Sequence, residues 1–215
     1  MPLHILDNKL WFPPVEDAME DGLLAMGGEV SAARLLLGYS KGIFPWYDGY
    51  PPLWWCPNPR FILFPDELKV SKSMKMLLGK EVFRFTTNQA FAKVIKACKE
   101  KPRRGQNGTW ITNEVEAAYI QLHHLGHAHS AEVWLDDQLA GGLYGVQMGN
   151  IFFGESMFSN VSNASKYAFI KLVEQLRSNG IKIIDCQVHT THLESLGAKM
   201  ISRNEFMEFV NKSSF

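Results

Sequence analysis

Hydrophobic and polar positions are most regularly spaced in the second half of the chain. Short apolar runs at Ser130–Leu135, Gln138–Met148 and Ile151–Glu155 are separated by Asp136-Asp137 and Gly149-Asn150. Two-residue turns of that composition join neighbouring antiparallel strands, so a meander is predicted here. The period then changes. Ala164, Ala168, Leu172 and Leu176 fall on one face of a helix over Asn163–Arg177, which Gly180 ends. A further strand is predicted over Ile181–Val188 and a short helix over Thr190–Leu196. A last helix is capped by Ser202 and carries Phe206, Phe209 and Val210.

The first half reads less evenly. Glu16–Ser40 is helix and turn material, with Ser31 capping a helix through Leu37. The run from Gly42 to Phe61, GIFPWYDGYPPLWWCPNPRF, is crowded with proline and aromatics and is expected to be ordered but turn-rich. Helices are predicted at Ser71–Leu78, Asn88–Lys99 and Glu114–Leu125, a strand at Phe83–Thr86, and a basic loop at Lys101–Gly108. Strands followed by a crossover helix and another strand define an α+β class. A boundary is expected near Phe64–Leu68, giving a small aromatic and proline-rich N-terminal domain (1–65) and a larger mixed-sheet domain (66–215).

Size and composition agree with an ordinary globular chain: 215 residues, 46% hydrophobic and 20% charged. No apolar run is long enough to span a bilayer. The start, MPLHILDNKLWFPP, lacks the pattern of a secretory signal. Cys56, Cys98 and Cys186 are odd in number and widely spaced, which points to a reducing, cytoplasmic setting and away from disulfides or a metal cluster. Net charge is zero, yet Lys69–Arg104 carries +9 over 36 residues. Such a segment draws polyanions. Lys93, Lys96 and Lys99 recur every three residues on one predicted helix face, and Arg103 and Arg104 follow.

Candidate chemistry is sparse. Glu155 and Asp185 are carboxylates near the ends of core-like strands, where burial demands a partner. Asp185 and Gln187 have strand spacing i,i+2 and are expected to share a face, suited to orienting an amine. His123 and His127 lack the HExxH glutamate, so capping and packing are expected there and no metal. Gly141, Gly142, Gly145 and Gly149 fit no phosphate-loop pattern; glycine in a strand also permits close approach of a backbone or ligand. Trp46, Trp54, Trp55 and Trp110 suit either a packed junction or a platform for a single-stranded base.

The ordered motifs together resemble the leucyl/phenylalanyl-tRNA–protein transferase family. They include Gly42-Ile43-Phe44-Pro45-Trp46, Trp54-Trp55-Cys56-Pro57-Asn58-Pro59-Arg60 and Gly108-Thr109-Trp110-Ile111-Thr112. Further on come Gly154-Glu155-Ser156-Met157-Phe158-Ser159 and Ile184-Asp185-Cys186-Gln187. The resemblance runs from about Glu16 to Phe209. It implies a small N-terminal domain followed by an acetyltransferase-like (GNAT) domain. It implies transfer of leucine or phenylalanine, less readily methionine, from aminoacyl-tRNA to proteins beginning with arginine or lysine, in N-degron proteolysis. No cofactor, ATP or metal is implied, because the aminoacyl ester is already activated; a monomer without membrane attachment is expected. By the same resemblance, Asp185 orients Gln187, and Gln187 contacts or relays the proton of the attacking amine, unless the tRNA ribose hydroxyl does so. Glu155 meets the acceptor's cationic end. Trp46, Trp110 and Tyr119 surround the terminal adenosine or the mouth of the site. Leu143, Met157 and Ile184 line the side-chain pocket, and the lysines with Arg103 and Arg104 meet the acceptor stem. An acetyl-CoA-dependent N-acyltransferase and a noncatalytic RNA-binding module are the rival readings.

Overall fold

The computed structural model describes residues 3–101 and 109–213. In chain order its elements are β1 (His4–Leu6), β2 (Leu23–Gly27), α1 (Ala32–Tyr39), β3 (Phe44–Pro45), β4 (Leu53–Trp55), β5 (Arg60–Leu63) and α2 (Lys72–Gly79). There follow β6 (Arg84–Thr87), α3 (Phe91–Glu100), α4 (Asn113–His124), β7 (Ala128–Leu135), β8 (Gln138–Met148) and β9 (Ile151–Ser159). The chain closes with α5 (Ala164–Ser178), β10 (Ile183–Gln187), α6 (Thr191–Glu194), β11 (Lys199–Ile201) and α7 (Arg203–Lys212). The expected α+β class holds, with the meander at β7–β8–β9.

Among the described residues the strands form two sheets. The smaller runs β1-β2-β4-β3 and the larger β11-β5-β10-β9-β8-β7-β6. In the larger sheet β9 and β10 are parallel, joined by the α5 crossover; its other neighbours are antiparallel. The change of sheet comes earlier than the boundary expected at 65, because Arg60–Leu63 already lies between β11 and β10. The proline-rich run is not merely turns: β3 and β4 pair within it, and β4 pairs in turn with β2.

Local chemistry sets the helix ends. Ser31, Ser71, Thr112 and Ser202 each accept the backbone N–H three residues on, satisfying a donor that the helix leaves unpaired. The third helix starts at Phe91 and not at Asn88, because Asn88 turns the chain with φ 59° and its Oδ1 accepts Ser130 N–H at 3.0 Å. Helices α3 and α4 join the small sheet in one apolar cluster on one face of the large sheet, while α2 and α5 pack on the other. The +9 segment is therefore divided between two faces. Close approach explains the glycines of β8. A Cβ at Gly145 would stand 2.3 Å from the Phe153 carbonyl oxygen, and one at Gly141 would stand 2.7 Å from the Ala164 Cβ.

One ion pair joins β5 to β10 inside this packing. Arg60 donates from Nε to Asp185 Oδ1 at 2.8 Å and from Nη2 to Oδ2 at 2.6 Å, and both side chains are 0% exposed. The guanidinium lies 4.7 Å from the Phe44 ring centre and 4.5 Å from that of Phe206. Removing either charge strands the other without water. Asp185→Asn and Arg60→Met are each expected to cost about 3–5 kcal/mol in urea unfolding, and the double change R60M/D185L to recover much of that loss.

Candidate active site

The site originates where two parallel strands part. Pairing of β10 with β9 runs through Ile183↔Ile151, Ile184↔Phe152 and Asp185↔Phe153, then stops. On its other side, β10 shifts register against β5 between Asp185 and Gln187, and Gln187 takes φ 65°. The carboxylate directs this turn: Asp185 Oδ1 accepts the Gln187 backbone N–H at 2.9 Å. Beyond Phe153, β9 has β8 along one side and an open wedge along the other. A cavity of about 450 Å³ fills the wedge. Its walls are largely apolar, from Leu143, Met157, Phe169, Ile184 and Leu193, with Glu155, Gln187 and His192 among the polar groups.

Glu155 lies beside a register shift between β8 and β9, where Tyr144 pairs Ser156 and Gly145 pairs Gly154. It is thus the extra residue of a bulge, which re-aims a side chain. Tyr39 Oη donates to Glu155 Oε1 at 2.8 Å, Tyr119 Oη to Oε2 at 2.9 Å, and Gln187 Nε2 to Oε1 at 2.8 Å. The two tyrosine hydroxyls also contact each other in a short hydrogen bond. The contacts among Tyr39, Tyr119 and Glu155 number three, whereas two hydroxyls carry only two protons. A proton on the carboxyl supplies the third: one tyrosine then accepts from the carboxyl and donates to the other tyrosine, and every group donates once around a closed ring. The electrostatics run the same way. Burial pushes the Glu155 carboxyl up to about 7, against the hydrogen bonds from Tyr39 and Tyr119, with the Asp185 charge adding to the rise and Gln187 opposing it. Burial, followed by the Glu155 charge, also holds both tyrosines well above their ordinary range, so they keep their protons at neutral pH.

This chain matches the leucyl/phenylalanyl-tRNA protein transferase family over residues 62–211, and the N-terminal domain of the same family over residues 28–58. It is 53% identical over 97% of its length to the leucyl/phenylalanyl-tRNA–protein transferase of Flavobacterium johnsoniae, covering 99% of that protein. The corresponding protein of Christiangramia forsetii is 54% identical over 97% of this chain and 100% of its own length. The chain belongs to the leucyl/phenylalanyl-tRNA–protein transferase family. It is an aminoacyl-tRNA-dependent protein transferase. A solved GCN5-related N-acetyltransferase-like protein from Streptococcus suis, 13% identical over 76% of this chain and 61% of its own, has a TM-score of 0.40 and is too distant to add to the assignment.

In this transferase the cavity brings together Glu155, Gln187, Trp46, Trp110, Leu143, Met157 and Ile184. Other expected positions lie elsewhere. Asp185 is sealed behind the wall with Arg60, and the bulge breaks the shared face expected from i,i+2 spacing; it reaches Gln187 through the backbone only. Tyr119 is fully buried beneath Glu155 and not at the mouth. Both Glu155 oxygens are already engaged in hydrogen bonds within the fold, an arrangement unlike the expected contact with a cation. Lys93 and Lys96 are exposed on α3, but Lys99 is drawn to Glu116 at 2.7 Å, so the stripe is not three free cations. Arg103 and Arg104 lie outside the described residues. Spacing missed Tyr39, Arg60 and His192. His192 faces the cavity, its Nε2 is buried with no hydrogen-bond partner among the described residues, and burial and then Lys166 depress its pKa. No helix among the described residues is long and apolar enough to cross a membrane.

The shared proton has a sign. A carboxyl raised from 4.5 to about 7 stabilises the fold fully below 4.5, and that contribution is lost as pH climbs through about 7. Relative to Glu155→Gln, whose side chain stays neutral, the wild type is expected to lose on the order of 3 kcal/mol between pH 4.5 and 8. Paired thermal melts across that range measure it; a flat difference means that the ring holds no extra proton.

Proposed function

We propose that the wedge holds the aminoacyl end of a charged tRNA while the α-amine of a protein beginning with arginine or lysine attacks the ester. The observation that carries this reading is the Gln187–Glu155 hydrogen bond at the edge of an apolar cavity. With Nε2 given to Glu155, the amide oxygen of Gln187 is left to receive an N–H of the incoming amine. The amine nitrogen bonds to the ester carbon, the bond to the ribose oxygen breaks, and the proton lost by the amine ends on that oxygen. No covalent enzyme intermediate is required, since holding both reactants together supplies most of the advantage.

A neutral Glu155 suits this step. An α-amine with a pKa near 8 is roughly a tenth neutral at pH 7. A bare carboxylate beside it would favour the ammonium form, which cannot attack. The protonated ring supports Gln187 without adding that charge. Glu155 in this reading fixes Gln187, and Asp185 acts further back, through the backbone turn that delivers Gln187.

Leu143, Met157 and Ile184 form the side-chain pocket, apolar and deep enough for leucine, phenylalanine or methionine. Trp46 and Trp110 stand at its rim, where they also bound an adjoining aromatic cavity of about 240 Å³ suited to a terminal base. Lys93 and Lys96 are the acceptor-stem contacts. Shape and phosphate contacts suffice there, leaving discrimination to the attached amino acid. The setting is cytoplasmic, in keeping with the buried thiols of Cys56, Cys98 and Cys186, none of them in a disulfide among the described residues, and the product enters N-degron proteolysis.

Purified protein with leucyl-tRNA and an arginine-starting peptide is expected to form the leucyl-peptide. Gln187→Ala should slow its single-turnover rate about a hundredfold, the scale of one lost hydrogen-bonding group at a reacting centre, with an unchanged melting temperature. Wild-type rates would remove Gln187 from the chemistry. The double reversal K93E/K96E is expected to weaken leucyl- and phenylalanyl-tRNA by the same factor and to lower the salt slope of binding. Unequal losses, or an unchanged slope, would take these lysines out of the tRNA path.

A further inference from the structure

Glycine weakens the interior of a strand, so each one in a sheet calls for a reason. Within the large sheet, Gly141, Gly142 and Gly145 have one in the fold itself: an added Cβ would meet a neighbouring atom at 2.7, 2.6 and 2.3 Å. Gly154 differs. Its φ is outside the positive range, and the nearest atom to an added Cβ is the Asp185 carbonyl oxygen at an ordinary 3.5 Å. The fold has room for a methyl group at this point. Gly154 nevertheless lines the cavity, one residue before Glu155. It also follows Phe153, the last residue of β9 paired with β10.

We infer that Gly154 is bare because the donor lies against it, and that the part touching it is the segment common to all donors, from the ester carbonyl to the α-carbon. The inference rests on reading the wedge as the aminoacyl site. Position within the wedge decides which part of the donor is involved. Gln187 holds the attacking amine, so the ester carbonyl must stand beside it. The space over Gly154 opens at the same apex, just past the Phe153–Asp185 pairing. Leu143 and Met157 lie further along, at a mutually paired position where β8 meets β9, and receive the variable side chain. Gly154 is a positioning residue in this scheme: it lets the ester sink to the depth at which the amine can reach it.

The test is Gly154→Ala, with Gly145→Ala as the structural contrast. G154A is expected to melt at or above the wild-type temperature, because alanine at an accessible φ restricts the unfolded chain. G145A is expected to lose stability sharply. G154A should lower kcat/KM by at least about tenfold, the scale of a methyl group forced into filled space, and equally for leucyl- and phenylalanyl-tRNA. Titration with a 3′-amide-linked phenylalanyl-adenosine, which cannot react, should show a matching loss of affinity. Full transfer by G154A overturns the inference. A changed leucine-to-phenylalanine ratio overturns it too, since the glycine would then face the side chain. A G154A chain that fails to fold contradicts the room claimed for the methyl group. If the wild type itself neither transfers leucine nor binds the amide analogue, the reading of the wedge fails first and the inference falls with it.

Discussion

A charge sealed from water must find its opposite, and in this protein that requirement shapes the candidate site. Asp185 has no route to solvent and is matched by Arg60, a strand away. Its Oδ1 accepts twice, from the guanidinium and from the backbone of Gln187. The second bond cannot form with β10 extended, so the strand turns into a left-handed residue and leaves its parallel neighbour. One carboxylate thereby closes the sheet on the β5 side and opens it on the β9 side. The cavity is the space left by that departure, and Gln187 is the side chain that the turn carries to its edge.

Around Gln187 burial works against net charge. Tyr39, Tyr119 and Glu155 are acidic groups in low-dielectric surroundings, and with the Glu155 carboxyl raised to about 7 the cluster exchanges between a neutral and a singly charged state near neutral pH. With Glu155 protonated, an apolar wedge with such an edge is a place where an uncharged amine is not driven to take up a proton. It also suits a donor that arrives already activated: the protein has little bond-making to do beyond placement, and little reason to hold a strong base.

Much of the fold could be read from local signals. The meander, the α5 crossover and the capped helices have periods and end residues contained within a few positions of one another. Strands of two to five residues in the small sheet, and β5 and β11 at the margin of the large one, have no period to read; distant pairing defines them. The apolar pocket residues were legible because they sit on strands with recognisable motifs. The Asp185–Gln187 geometry was not, since a bulge cancels the alternation on which the i,i+2 rule depends. Arg60 was hidden in a proline-rich run. Tyr39, at the end of a helix full of leucines, looks like one more core aromatic until the fold carries its hydroxyl to a carboxylate more than a hundred residues away.

That hydroxyl belongs to α1, in the N-terminal family segment, while Tyr119, Glu155 and Gln187 belong to the segment that follows it. The candidate site is therefore jointly owned across the seam between the two family segments. A hybrid chain that grafts the front portion of one relative onto the rear portion of another inherits Tyr39 from one parent and Tyr119 and Glu155 from the other. Both portions can fold correctly and still mismatch there by a fraction of an ångström. A change on one side of this junction calls for an answering change on the other.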